Sequence, residues 1–423
     1  MRVLHVCYSD GNGGAYIGAY HLHKAMLSCD VDSTLLVFDK VHNEPEIKSP
    51  FSDAQIKRNR FQQRLEKFIC RQLSPTGNDS LRSFNLIPSG LGKEINKMDI
   101  DIVQLHWINS NTLSIGEIGK IKQPLVWKMA DMWAFSGMEH YKLPADPDRH
   151  INGYSKSNRP EHESGIDLNQ LLWLYKKNQW KNKKITFVGP SRWLAEQAKK
   201  SRLFSHQRVE HILNPVNLEI FKPISREAAI THFGLENDKK YVMFCSWYAT
   251  EDKRKGYQYL DEALGLLSGK QFTGKFEVII LGTQSNSTEI LHGFKIHNLG
   301  LINNENEMAL AYNLAELIVL PTILDNLPNV IKEGTACGIP CVGFEVGGIP
   351  DMISHKTTGY LAEPYRASDI ANGIEWLLNN LTPGMKKLVR ETACKHHDPQ
   401  IVVNKYLNLY REVIYDHNKS SRN

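Results

Sequence analysis

Short apolar runs rich in β-branched residues alternate with stretches of helical periodicity along this chain, and the series runs twice. The first series holds RVLHVCY (2–8), a glycine-rich turn GNGGA (11–15), a helix to about Cys29, STLLVF (33–38), DIVQLHW (101–107) and PLVWKM (124–129). It continues with a helix over LNQLLWLYKKNQWKN (168–182), KITFVGPS (184–191), the helix RWLAEQAKKS and VEHILNP (209–215). The second holds YVMFCSW (241–247), a helix from Tyr257, FEVIILG (276–282), KIHNLG (295–300) and a helix from Glu305. AELIVLPT (315–322), PCVGFE (340–345) and a helix near 367–380 complete it. Strands that are apolar along their whole length are covered on both faces, which predicts parallel sheets in α/β layers.

At 423 residues the chain can bury two separate cores. NPVNLEIFKPIS (214–225), with two prolines, reads as the linker. The predicted domains are therefore 1–214 and 215–396, both Rossmann-like. The first is completed by 397–423, whose amphipathic helix PQIVVNKYLNLYREVIYD (399–416) crosses back. Two such units in tandem predict a ligand cleft between them. Residues 142–167 are polar, proline-bearing and aperiodic, and read as a long loop or a lid.

Several classes are excluded. No stretch approaches the roughly 20 apolar residues of a membrane-spanning helix. The start, MRVLHVCYSD, lacks a secretory pattern, which predicts a cytoplasmic protein. The seven cysteines are scattered and predict reduced thiols, and the lone Cys337/Cys341 pair predicts no zinc site. Net charge is +5. Much of it gathers in 51–73, where Lys57, Arg58, Arg60, Arg64, Lys67 and Arg71 accompany Phe61, Leu65, Phe68 and Ile69 at helical spacing. This basic amphipathic helix has two readings, a surface helix packed on its own domain or peripheral attachment to an anionic membrane surface or a lipid-phosphate substrate. No recognised nucleic-acid module accompanies the charge, so no nucleic-acid partner is expected.

The chemistry concentrates in PTILDNLPNVIKEGTACGIP (321–340). An apolar strand enters it and a helix leaves it, with Pro328 suited to the first helical turn and Asn326 to the cap. A helix start offers backbone N–H groups and a partial positive charge to an anion. Asp325 stands before that start and Glu333 about 8 Å along the axis. An anion site between two carboxylates fits a nucleotide-sugar: the diphosphate takes the amides, and each carboxylate accepts from a pair of sugar hydroxyls. DKRKGY (252–257) adds a second cationic feature, opening a helix where it would neutralise a leaving diphosphate. In the GGA turn at 13–15, glycine permits close approach to a phosphate or sugar.

The block LPTILDNLPNVIKEGTACGIPCVGFEVGGIPDMI, followed by TTGYLAEP (357–364), resembles the retaining GT-B glycosyltransferases of family 4, in particular the bacterial branch that builds surface polysaccharides. The resemblance runs from the GGA turn to the C-terminal helix. It implies a GT-B fold of two Rossmann-like domains and transfer of a hexose-type sugar, with retention, from a UDP- or GDP-sugar. The implied acceptor is a glycan or lipid-linked oligosaccharide of O-antigen, capsule or exopolysaccharide synthesis, met at the inner face of the cell membrane. It also implies that no metal or other cofactor is required.

Residue by residue, the resemblance gives Glu333 the nucleotide ribose and Asp325 the donor sugar, with Asn326, Leu327, Pro328 and Asn329 lining sugar and phosphate. Lys255 matches a phosphate-binding lysine. The family's arginine five residues earlier is replaced by Thr250, which leaves Arg254 as a substitute. Gly13 and Gly14 match the turn that meets the donor diphosphate, Gly14 foremost. In VWKMADMWAFSGMEHY (126–141), Ala130 stands where relatives carry a histidine, while Asp131 is retained. A sugar-nucleotide epimerase or phosphorylase on the same fold, or a non-catalytic sugar-nucleotide binder, is the alternative expectation.

Overall fold

The computed structural model describes residues 1–11, 13–75, 81–247, 251–270, 272–284 and 286–420. The chain divides into two units, Met1–Asn214 with Val403–Asn423, and Pro215–Val402.

In the first unit the elements are β1 (Arg2–Ser9), α1 (Gly14–Ser28), β2 (Asp32–Asp39), β3 (Ile47–Lys48), α2 (Asp53–Leu73), α3 (Leu91–Ile95) and β4 (Ile102–Leu105). There follow α4 (Ile115–Ile118), β5 (Leu125–Lys128), α5 (Arg149–Asn152), α6 (Leu168–Trp180), β6 (Thr186–Gly189), α7 (Arg192–Lys200) and β7 (Arg208–His211). All the strands pair in parallel, in the order β3-β2-β1-β4-β5-β6-β7. β4, β5 and β6 are buried at every residue, as apolar strands covered on both faces must be.

The second unit runs α8 (Arg226–Phe233), β8 (Tyr241–Cys245), α9 (Tyr257–Gly269), β9 (Glu277–Leu281), β10 (Asn286–Leu291), β11 (Phe294–Leu299), α10 (Glu305–Tyr312) and β12 (Leu317–Leu320). It continues with α11 (Asn329–Ala336), β13 (Cys341–Phe344), β14 (Gly359–Ala362), α12 (Ala367–Asn380), α13 (Pro383–His397) and α14 (Pro399–Ser420). Its strand order is β10-β11-β9-β8-β12-β13-β14, parallel except for the β10–β11 hairpin. β10 is exposed at all but its last residue, so it carries no apolar run to announce it.

Both sheets are Rossmann-like, and each has one place where the strand order reverses. The chain builds outward from β1 through β2 to β3, then returns to add β4 on the other side of β1. The second sheet likewise builds from β8 through β9 and then adds β12 beside β8. Loops leaving the carboxyl ends of the two strands at such a reversal diverge and leave a crevice, where ligands bind in open α/β sheets.

Some expectations change. The strands are shorter than the apolar runs, because the flanking residues enter the loops. Residues 215–225 are not a free linker. Phe221 is buried, and the Arg390 guanidinium donates to the carbonyls of Leu218, Phe221 and Ala336. The last helix begins in the second unit and ends in the first, where Tyr410 donates to Gln104 Oε1 at 2.8 Å and Glu412 pairs with Arg208.

Residues 142–167 form an anchored loop. Arg149, 4% exposed, holds Asp167 at 2.5 Å and Glu163 at 3.7 Å, and its guanidinium lies 4.5 Å from the Tyr154 ring centre. Arg149→Ala leaves the nearly buried Asp167 carboxylate without its cation, while Glu163 keeps Arg159 and Arg82, and is expected to cost about 3 kcal/mol in urea unfolding.

Candidate functional site

The crevice of the second sheet is built by mutual constraint between loops. After β8, Lys253–Lys255 forms a single 3₁₀ turn, with Asp252 accepting from Arg254 N at 3.0 Å. The expectation was that this cationic run opens a helix. Gly256 ends the turn instead, and α9 starts separately at Tyr257. Gly256 has φ 78°, and a Cβ there would lie 1.8 Å from the Pro321 carbonyl oxygen. Only glycine allows that approach. Ile323 N and Thr322 Oγ1 each donate to the Arg254 carbonyl at 2.9 Å. The loop after β8 is thereby fastened to the loop after β12.

That fastening brings Lys255 Nζ to 2.9 Å from Asp325 Oδ2, with side chains 19% and 14% exposed. The loop after β13 closes on the same residue. Gly348 N donates to the Asp325 carbonyl at 3.1 Å, and a Cβ on Gly347 would lie 2.0 Å from that oxygen. Burial alone would raise the Asp325 carboxyl, but the charges of Lys255 and Arg254 and the hydrogen bond from Lys255 hold it below its ordinary value. The Arg254 side chain rests on Asp252 at 3.1 Å and is 41% exposed.

The helix that follows begins two residues later than expected. Pro328 is its cap residue, with φ −63° and ψ 124°, and α11 starts at Asn329. Asn326 is therefore not the cap; it lies buried in the loop beside buried Leu327. A proline offers no side-chain oxygen, so the first-turn amides of α11 receive no cap from residue 328. Glu333 is the fifth residue of the helix, 7% exposed, and accepts a hydrogen bond from Tyr312 Oη at 3.0 Å. Burial pushes its carboxyl up to about 7, against the opposing pull of Lys332 and Tyr312. The neutral form is thus favoured by the fold. Its contribution to stability is complete below the ordinary value of 4.5 and is lost as pH rises through about 7. Lys332, fully buried, donates to the Pro215 carbonyl at 2.9 Å. A Cβ on Gly334 would meet Ile318 Cδ1 at 2.3 Å, so α11 lies hard against β12.

The remaining predicted residues lie in the first unit, around its own reversal point. Gly13 precedes α1 with φ 134°, and a Cβ there would strike the Tyr16 ring at 2.9 Å. Gly14 is the first helical residue. Tyr16 packs edge-on against Trp107, in the loop after β4, with ring centres 5.5 Å apart. Trp107 Nε1 in turn donates to Asp131 Oδ2 at 3.1 Å. Asp131 also accepts from Trp133 N at 2.9 Å and lies 2.6 Å from His140 Nδ1. The other nitrogen of His140 is 2.9 Å from Ser83 Oγ. Ser83, His140 and Asp131 form a serine–histidine–acid chain, yet His140 is 1% exposed with both nitrogens engaged. The chain fixes the position of Asp131 and presents no nucleophile.

The structure thus gathers Lys255, Arg254, Asp325, Asn326, Leu327, Pro328, Asn329 and Glu333 around one reversal point, and Gly13, Gly14 and Asp131 around the other. Thr250 lies outside the described residues. Sequence reasoning passed over Gly256, Gly347, Tyr312, Trp107 and the pairing of His140 with Asp131. Only the glycines left a signal, in KGY and VGGIP.

Part of the chain is similar in sequence to known proteins. Residues 239–380 match the family model described as Glycosyl transferases group 1. The matched residues lie within the second unit and take in the β8/β12 crevice. A stretch of 117 residues is 30% identical to N-acetyl-alpha-D-glucosaminyl L-malate synthase of Bacillus anthracis, spanning 27% of this chain and 31% of that protein. Another of 197 residues is 27% identical to D-inositol 3-phosphate glycosyltransferase of Paenarthrobacter aurescens, spanning 44% and 48%. The chain therefore matches less than half the length of these curated relatives.

Solved structures extend the likeness of fold to nearly the whole chain. Sucrose-phosphate synthase from Thermosynechococcus elongatus superposes with a TM-score of 0.65 at 15% identity, covering 98% of this chain and 100% of that one. Anabaena HepE, solved with UDP-glucose, gives 0.62 at 14% identity over 97% and 100%. The glycosyltransferase WaaG gives 0.56 at 12% identity over 94% and 95%. The architecture is GT-B, as the sequence resemblance implied.

Proposed function

We propose that this chain is a retaining glycosyltransferase moving a hexose-type sugar from a UDP- or GDP-sugar to a glycan or lipid-linked acceptor in O-antigen, capsule or exopolysaccharide synthesis. The observation that carries the reading is the Lys255–Asp325 pair at the β8/β12 reversal point, one loop ahead of buried Glu333. HepE has been solved with UDP and with UDP-glucose, which favours the uridine donor.

In this reading Glu333 accepts hydrogen bonds from the ribose diol, and Asp325 takes a hydroxyl pair of the transferred sugar. The backbone of Asn326 to Asn329 and the first turn of α11 meet the diphosphate. Gly13 and Gly14 approach the diphosphate, Gly14 foremost, and Asp131 the sugar. The bond from the anomeric carbon to the diphosphate oxygen breaks as the acceptor oxygen bonds on the same face. The acceptor's proton passes to the departing phosphate, whose charge Lys255 stabilises, supported by Arg254. Positioning and charge stabilisation then suffice without a protein nucleophile, a metal or another cofactor. The donor is drawn from the cytoplasm.

The test is incubation with a nucleotide-sugar and acceptor extract in the presence of EDTA, with the product's anomeric configuration read by NMR. Retained configuration and undiminished rate are expected. Inversion or loss of activity to EDTA overturns the mechanism, and turnover without acceptor, or only with inorganic phosphate, overturns transfer itself.

A pH dependence follows from Glu333. Its carboxylate is the better acceptor, and its carboxyl sits at about 7, so donor affinity is expected to fall roughly tenfold from pH 8 to pH 6. Calorimetric titration across that range checks this, and Glu333→Gln should flatten the profile.

A further inference from the structure

The helix α2 is turned inside out relative to an ordinary surface helix. The side it lays on its own unit is largely polar. Asn59, the one buried residue of α2, donates to the Asn111 carbonyl at 3.2 Å. Gln63 donates to the Ser110 carbonyl at 3.1 Å, and Glu66 accepts from Asn111 Nδ2 at 2.9 Å. Ile69 and Cys70 add the apolar contact with the core. On the opposite side Phe61, Leu65 and Phe68 are 67%, 44% and 61% exposed. Positions 61, 65 and 68 share one helical stripe, about 10 Å long at 1.5 Å per residue. The helix is thus packed on its own domain, but through this polar side, and the apolar stripe stays uncovered.

Cations frame the exposed stripe. Lys57 and Arg64 lie along one flank and Arg58 on the other, with Arg71 further round, all exposed. Among the described residues Lys57, Arg58, Arg64, Lys67 and Arg71 have no ion-pair partner, while Arg60 reaches Asp39 at 3.4 Å. The helix has only two carboxylates. Asp53 is in its first turn and Glu66 faces inward, so neither neutralises the stripe. A partner for this face must accept narrow aromatic insertion and present negative charge on both sides at once.

We propose that α2 is a docking face for an anionic lipid bilayer, with Phe61, Leu65 and Phe68 entering the headgroup boundary and the flanking cations meeting lipid phosphates. A bilayer meets both demands: its surface is uniformly negative, and its interior takes apolar side chains to a depth of about 5–10 Å. Among the described residues no helix is long and apolar enough to cross a membrane, so α2 lies on the surface.

The experiment is flotation of the full chain at about 0.1 M salt, where screening still leaves charge attraction over roughly 10 Å. Vesicles of phosphatidylcholine with phosphatidylglycerol are compared with phosphatidylcholine alone. Binding to the anionic vesicles only is expected. Arg58→Glu with Arg64→Glu should lower partitioning by roughly 600-fold, since the two reversals change four charge units, each worth about a factor of five. Phe61→Ser with Phe68→Ser should lower it about tenfold. Both pairs lie on the exposed side, so unchanged circular dichroism and Tm confirm that folding is intact.

Equal binding to neutral vesicles, no binding, or binding indifferent to both double variants overturns the proposal. So does a dimer in sedimentation velocity that Phe61→Ser with Phe68→Ser dissolves while vesicles go unbound, which assigns the face to a second copy of the chain. No sugar donor enters the assay, so its failure leaves the glycosyl-transfer reading intact.

Discussion

Lys255→Ala is expected to lower kcat by about 10²–10³-fold, the usual cost of removing one preorganised stabiliser of developing charge. KM should change much less, because the lysine acts on the diphosphate as it departs. The effect is large because little else can replace the charge. The Arg254 guanidinium, 41% exposed, is tied to Asp252. Loss of Lys255 also removes the charge and hydrogen bond that hold Asp325 ionised, so the Asp325 carboxyl should rise. Lys255→Arg keeps the charge but not its geometry, and should restore part of the rate. Steady-state kinetics on the three proteins checks this, and a kcat unchanged in Lys255→Ala would remove the lysine from the reaction.

Glu333→Gln is expected to weaken donor binding on the order of 100-fold, from the loss of two hydrogen bonds to a charged acceptor. The amide keeps the side-chain volume and can still accept from Tyr312 Oη, so the fold should persist. A purely structural role would show the reverse pattern, with a lower Tm and unchanged donor affinity. The carboxylate is held in a buried site that disfavours its charge, as expected where binding supplies the missing hydrogen bonds.

Much of this architecture was legible because buried parallel strands must be apolar throughout. LIVL at 317–320 and YVMFC at 241–245 announce β12 and β8 directly. β10 was not legible, since an exposed edge strand such as NSTEIL needs no apolar run. The acids of the site could be found in one loop and helix. Their surroundings could not, because tertiary contacts rather than local periodicity create them. Tyr312 reaches Glu333 from another helix, and Gly256 and Gly347 are required by carbonyl oxygens of distant loops. The stripe of α2 shows the limit most clearly. Helical periodicity revealed that Phe61, Leu65 and Phe68 share a face, but only the polar anchoring of Asn59 and Gln63 decided which way that face turns.

The central claim is that the β8/β12 crevice holds a nucleoside diphosphate sugar. Thermal unfolding of the chain with a panel of UDP- and GDP-sugars tests it most directly, because a ligand that binds only the folded state raises Tm by mass action. One donor is predicted to raise Tm in the wild-type chain; Glu333→Gln should remove most of that rise, while Lys255→Ala, the loss of a lysine that acts on the departing diphosphate, should largely keep it. No rise with any donor, or an undiminished rise in Glu333→Gln, would contradict the account.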